Sequence, residues 1–405
     1  MAGASYASTL AAGETYDLRE ERRAGRRKLG WFGLVIALMF LYPFVDNALG
    51  IDRLGSWMSI FVFIILAMGL NIVVGYAGLL DLGYAAFFAI GAYTIAFLTS
   101  PGSVFVQRGW IPDFFQHFWP AMVVSWLVAA VFGVLLGAPT LRLRGDYLAI
   151  VTLGFGEIVP NFFINAETIT NGPRGINPIA KPSSFSVFGL DLSFGPTDQR
   201  SWYWLMLFVG LLTVFLINRL YDSRLGRSWQ AIREDEIAAA SMGVNLVKTK
   251  LWAFALGASF SGFAGSVYAA AFQFVGPSHF DFSVSVMILS MVILGGLGNI
   301  YGVIFGGLLI GSFDRILTEV LRDPVQSLGR SVGWEGLANH DLTSDRLLVF
   351  GLALVLMMLL RPGGLFPSAR RKAEMQPESD DIVVAETEQM YDVRRENEPA
   401  LGERA

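Results

Sequence analysis

Cysteine is absent from this 405-residue sequence. That excludes disulfides, thiolate metal sites and a cysteine nucleophile. Lysine is scarce: Lys28, Lys181, Lys248, Lys250 and Lys372 are the only five, and none follows a glycine. A phosphate-binding loop of the Walker type needs that Gly-Lys pair, so the chain holds no such nucleotide site of its own. The three histidines, His117, His279 and His340, are far apart in the sequence and form no metal-ligand spacing. No catalytic residue and no metal ligand is assigned, and the expectation is a protein that is not an enzyme.

Charge is the next shortage. Asp, Glu, Lys and Arg make up 16% of the chain, against about 25% in soluble domains. Of these 64 residues, 10 lie in 1–30 and 17 in 361–405, which leaves 37 for the 330 residues between. A water-facing surface cannot be built from so few. Residues 31–365 therefore read as a membrane domain between a basic segment, 1–30, and an acidic tail, 366–405, expected to be disordered. The net charge of −4 gives no support to nucleic-acid binding. The residues before Trp31 are polar and basic, so the first apolar segment is expected to be a retained span.

About 20 apolar residues cross a bilayer. On that measure the spans fall at roughly 31–49, 55–74, 83–99, 119–138, 147–165, 201–218, 251–274, 284–299, 303–321 and 346–360. The fold class is all-α and polytopic, with about ten transmembrane helices. With both termini cytoplasmic, the inner segments hold 18 Lys and Arg and the outer loops 8, the expected bias. Residues 166–200 then form an outer, periplasmic loop and 219–250 an inner, cytoplasmic one.

Two stretches break the apolar pattern. In "GLNIVVGYAGLLDLGYAAFFAIGAY", Gly69–Tyr93, five glycines and Asp81 interrupt what would otherwise be one span. Glycine lets membrane helices approach closely. A polar interruption between two half-length apolar pieces points to a broken or re-entrant helix, tolerated only where buried in protein or beside an aqueous path. The second stretch, "MVILGGLGNIYGVIFGGLLIGSFDR" at 291–315, repeats the pattern around Asn299, a weak pointer to internal repeats. Candidate pathway residues are Gly75, Tyr76, Gly78, Asp81, Gly83, Glu157 and Asn299. Asp81 has two readings: a site at the cytoplasmic interface, which the topology favours, or a place on the path. Glu157, in the fifth span, divides evenly between a packed polar network and the path.

The inner loop contains "SWQAIREDEIAAASMGV". Ser228 suits an N-cap and Gly243 a helix stop, giving one expected helix of about fourteen residues. Arg233, Glu234, Asp235 and Glu236 would cover every side of it, so it cannot lie in lipid. Ala238, Ala239 and Ala240 beside them make a small knob for a groove on another protein. "EIAAASMG" resembles the coupling motif of importer-type ABC permeases, Glu-Ala-Ala, three variable residues, Gly. Here Ile237 holds the motif's glutamate position and Glu236 precedes it. The form with "KTKLWAFALGASFSGFAG" is similar to that of permeases for branched-chain amino acids. "LRLRGDYLAIVTLGFGEI", "TNGPRGI", "LGRSWQAIREDE" and "GGLGNIYGVIFGG" also resemble that family, in the expected order over about 55–365, and its longer M-type subunit fits best.

The resemblance implies a second related permease subunit, two cytoplasmic ATP-binding subunits and a periplasmic substrate-binding protein, in the bacterial inner membrane. ATP would be bound by the partners, and this chain needs no cofactor. The coupling helix would be carried by Arg233, Glu234, Asp235, Glu236, Ala238, Ala239, Ala240 and Gly243. The outer loop with Thr170, Asn171, Gly172, Arg174 and Gly175 would face the binding protein. The substrate implied is a branched-chain or related hydrophobic amino acid. Urea or short amides within the same family remain open, as does an ion-coupled carrier, which would have no use for an ATPase-docking knob.

Overall fold

The computed structural model describes residues 53–140, 146–187, 190–195, 198–317 and 346–361, with shorter pieces between 33 and 50, between 320 and 331, and at 363–366. The basic segment 1–30 and the tail beyond 366 lie outside the described residues. The architecture is helical: α1 Leu54–Asn71, α2 Tyr84–Thr99, α3 Phe118–Thr140, α4 Asp146–Asn165, α5 Gln199–Tyr221, α6 Arg224–Glu234, α7 Glu236–Ser241, α8 Leu246–Phe272, α9 Phe282–Gly295, α10 Ile300–Ser312 and α11 Arg346–Leu360. One short antiparallel hairpin, β1 Phe185–Val187 with β2 Leu190–Leu192, lies in the 166–200 loop, with Phe185 opposite Leu192.

Seven helical stretches among the described residues are long and apolar enough to cross a membrane: Leu54–Tyr76, Tyr84–Gln107, Phe118–Thr140, Tyr147–Asn165, Gln199–Tyr221, Leu246–Phe272 and Pro277–Gly295. They coincide with the second to eighth expected spans, and the chain is a multi-pass membrane protein. The expected first span, 31–49, falls partly outside the described residues. The ninth is represented by α10, only 13 residues, running into a π-helical turn at Phe313–Leu317. The tenth is represented by a shorter apolar helix, Phe350–Leu360.

Burial follows from composition. α1 is apolar on all sides, as a helix surrounded by protein should be, and its membrane window is wholly buried. It sits at the centre, against α5, α8, α9 and α10. The helices around it close on glycine. A Cβ at Gly265 of α8 would fall 2.8 Å from the Ala92 amide of α2, and one at Gly133 of α3 would fall 2.6 Å from the Phe254 carbonyl of α8. Such contact is how helices associate where lipid is as apolar as the side chains. α9 and α10 form an antiparallel hairpin on the same principle, since a Cβ at Gly306 would fall 2.8 Å from the Gly295 amide. The outward faces of α3 and α5 carry Val123, Leu127, Val131, Leu135, Phe208 and Phe215, fit for lipid.

Candidate functional site

The two interrupted stretches meet at one point. α1 runs into a π-helical turn, Ile72–Tyr76, and the chain then crosses 77–83 without helix before α2 begins. At Gly78 the backbone turns through φ 69°, a conformation that favours glycine. In the second stretch α9 stops at Gly295 and α10 starts at Ile300, with Gly298 at φ 82° between them. The Gly298 amide donates to Asn71 Oδ1 at 2.9 Å, so the end of α1 holds the second break directly.

Asp81 is 1% exposed. Protein shields it from solvent, because the chain after Gly78 turns back into the bundle. Its Oδ1 accepts from the Gly83 amide at 2.9 Å, and its Oδ2 meets no donor among the described residues. Other backbone donors at the start of α2 go to neighbouring helices: Leu82 N to Thr152 Oγ1 and Ala85 N to Ser285 Oγ, both at 3.0 Å. Thus the break is anchored by α4 and α9. Gly83 packs on the α4 backbone at Thr152. Asn299 accepts from Gly302 at 3.4 Å, a helix cap, and donates to the Phe366 carbonyl at 2.8 Å. Its position is explained by capping.

The inner loop differs from the expected single helix. It forms two helices, α6 and α7, divided at Asp235. The cause is local. Asp235 takes an extended backbone, φ −155°, and its carboxylate accepts from the amides of Ile237 (2.7 Å) and Ala238 (3.0 Å), capping α7. An Asp inside a helix competes with it in just this way. The start of α6 is capped by Ser223, not Ser228, whose hydroxyl donates back to the Arg224 carbonyl. Nor do the charges surround a solvated rod. Glu236 pairs with Lys250 at 2.6 Å. Arg233 points inward: its Nη1 donates to the Gly75 carbonyl, and a Cβ at Gly78 would fall 3.0 Å from Arg233 Cγ. Trp229 is buried, its Nε1 donating to the Thr249 carbonyl at 2.7 Å.

The alanine knob is also corrected. Ala239 is 4% exposed and packs inside the chain, while Ala238 and Ala240 are exposed. Beside them Ile237 and Met242 stand 74% and 86% exposed. These two large apolar side chains were missed by the sequence reading. Their isolation in a charged loop, flanking the alanines, was the available signal. Gly243 ends the segment at φ 86°.

In the 166–200 loop Thr170, Gly172 and Gly175 are buried and Asn171 and Arg174 exposed. Thr170 Oγ1 donates to Phe163 O at 2.6 Å, and Asn171 Nδ2 to Gly175 O at 2.9 Å. Ile176 and Val275 exchange backbone hydrogen bonds, joining this loop to the α8–α9 connection. Glu157 lies on the exposed face of α4 with Asn161 and Asn165. It is an outward-facing carboxylate near the middle of a spanning helix. The structure therefore does not bring it to the meeting point of the two breaks.

Comparison with known proteins gives a consistent picture. The family model described as "Branched-chain amino acid transport system / permease component" matches residues 54–358. The high-affinity branched-chain amino acid transport system permease protein LivM of Salmonella typhimurium is 39% identical over 362 residues, 85% of this chain and 75% of that protein. LivM of Escherichia coli is 38% identical over 84% of this chain and 76% of its own length. LivH of Escherichia coli is 25% identical over 70% of this chain and 88% of that protein. No solved structure matches.

Proposed function

The chain belongs to the family of permease components of branched-chain amino-acid transport systems, and from that premise we propose that it is the membrane subunit of an ABC importer for branched-chain or related hydrophobic amino acids. Energy comes from separate ATP-binding subunits, substrate from a periplasmic binding protein, and the assembly sits in the inner membrane with both termini of this chain inside. The match to both a LivM and a LivH of one organism supports pairing with a second, related permease.

One observation carries the reading: the exposed apolar knob of α7 is joined through α6 and Arg233 to the point where both chain breaks meet. An ion-coupled carrier has no need of that linkage. A partner pushing on Ile237 and Met242 would move Arg233 against Gly75 and Gly78, where the backbone is least helical. Glu157 fits the same scheme. A carboxylate at the centre of a lipid-facing helix costs about 2.5–3.5 kcal/mol, so its face belongs against the second permease or the path, not against lipid.

Reconstitution tests this. The purified chain alone is expected not to hydrolyse ATP. With its partner subunits in proteoliposomes, L-leucine uptake should require ATP and the binding protein. Uptake at the same rate without the ATP-binding subunits would sink the importer reading.

A further inference from the structure

At the end of the bundle away from α6 and α7 lies a cavity separate from the meeting point of the two breaks. Its floor is apolar and buried, built by Phe63 of α1, Phe88 of α2, Met287 of α9 and Phe350 of α11. Charged groups of both signs also line it: Arg315, Asp314 and Asp281. Asp314 is paired, its Oδ2 accepting from Arg315 Nε at 3.1 Å. That pair fixes the guanidinium by its Nε, over the Phe63 ring at 5.8 Å. It leaves the Nη atoms, the better fork for a carboxylate, for another acceptor.

Asp281 is the second carboxylate. It stands at the N-cap of α9, where aspartate ordinarily accepts an amide hydrogen bond, yet its side chain makes no such bond. It is exposed. His279 lines the same cavity. The Arg315 segment is the π-helical turn Phe313–Leu317, a distortion frequent at functional sites.

A free anion site, a free cation site and an apolar floor match one ligand class: a zwitterionic α-amino acid with an aliphatic side chain. We propose that this cavity binds the substrate within the permease, with Arg315 taking the α-carboxylate, Asp281 the α-ammonium, and Phe63, Phe88, Met287 and Phe350 the side chain. The proposal rests on the importer reading and adds a site to it.

The cysteine-free chain gives a direct test. Ser283 lines the cavity and is half-buried. Ser283→Cys in the full-length chain, in lipid nanodiscs with its partner subunits, is alkylated with a maleimide at a measured rate. L-leucine is expected to slow alkylation several-fold. Isocaproate, which lacks the ammonium, and isoamylamine, which lacks the carboxylate, should protect far less. Adding Arg315→Gln should remove protection by leucine. If that variant is not recovered, Asp281→Asn, a change at an exposed side chain that caps nothing, should do the same. Unchanged alkylation in saturating leucine, or equal protection by either half-molecule, would overturn the proposal. Binding-protein-stimulated ATP hydrolysis, followed in the same discs, separates the two failures: if it persists without protection, only the cavity assignment falls.

Discussion

Arg233 and Ile237 lie four residues apart and point in opposite directions, one into the bundle and one out of it. Their substitution should therefore fail differently. Arg233→Met keeps the Cβ–Cγ stem against Gly78 and removes the donor to the Gly75 carbonyl. ATP hydrolysis and capture of the ATP-binding subunits should persist, while leucine uptake falls by about tenfold or more, the equivalent of some 1.4 kcal/mol of lost coupling. Arg233→Lys should recover part of it. Uptake equal to the parent protein's would show that the contact is passive. Ile237→Asp puts a charge on the exposed knob, where the chain itself tolerates it. Its cost belongs to the docked complex, as an unpaired charge desolvated at a contact. Co-purification of the ATP-binding subunits should be lost with the thermal midpoint of the chain unchanged. Ala239→Arg behaves otherwise. Ala239 is buried against its own chain, so arginine there should lower that midpoint before docking is tested. Gly78→Leu belongs to the same scale. It requires a left-handed backbone that costs a non-glycine residue about 1 kcal/mol and overlaps Arg233 Cγ. Uptake should fall sharply, whereas Gly351→Leu, with nothing within 4 Å of its Cβ position, should leave uptake intact.

At the scale of the element, the decisive feature is how short α7 is. Six residues cannot hold a helix in water by themselves, so Asp235 and the Glu236–Lys250 pair keep it in place. Asp235→Ala removes the cap, a loss of about 1 kcal/mol. It should weaken ATPase capture measured by co-purification, with Asp235→Asn close to the parent; equal capture by the alanine variant would show α7 to be held by packing alone. The same element marks the limit of what the sequence discloses. The spanning helices were legible because a run of about 20 apolar residues has few alternatives, and Gly78 and Asp81 disclosed a break for the converse reason. The α6–α7 boundary was not, because the residues around Asp235 favour helix and only its extended backbone shows it capping. The meeting of the two breaks on Arg233 was further out of reach. Gly75 and Arg233 are 158 positions apart, and no local pattern encodes such a contact. Asp281, a charge between two expected spans, and Arg315, a charge inside the expected ninth span, stayed hidden likewise until the fold brings them to one cavity.

For the whole molecule, the sidedness of the bundle ties these parts together. The α7 knob stands at one end and the charged cavity at the other, with α1 between them. An importer needs that order, since substrate arrives on one side and ATP is hydrolysed on the other. In the proposed orientation, which follows the distribution of Lys and Arg, the α7 end faces the cytoplasm, and the absence of cysteine makes that measurable in intact cells. Ser184 in the 166–200 loop and Ser241 at the end of α7 are both exposed. Ser184→Cys should react with an impermeant maleimide added outside intact spheroplasts. Ser241→Cys should react only after the membrane is opened, and co-expressed ATP-binding subunits should then slow it, because Ser241 adjoins Met242 on the proposed docking face. Labelling in the reverse order would place the knob where no ATP-binding subunit can reach it, and the coupling role of Arg233, Ile237 and Met242 would fall together. Protection of Ser241 without its sidedness cannot arise in one orientation, so the two readouts check each other.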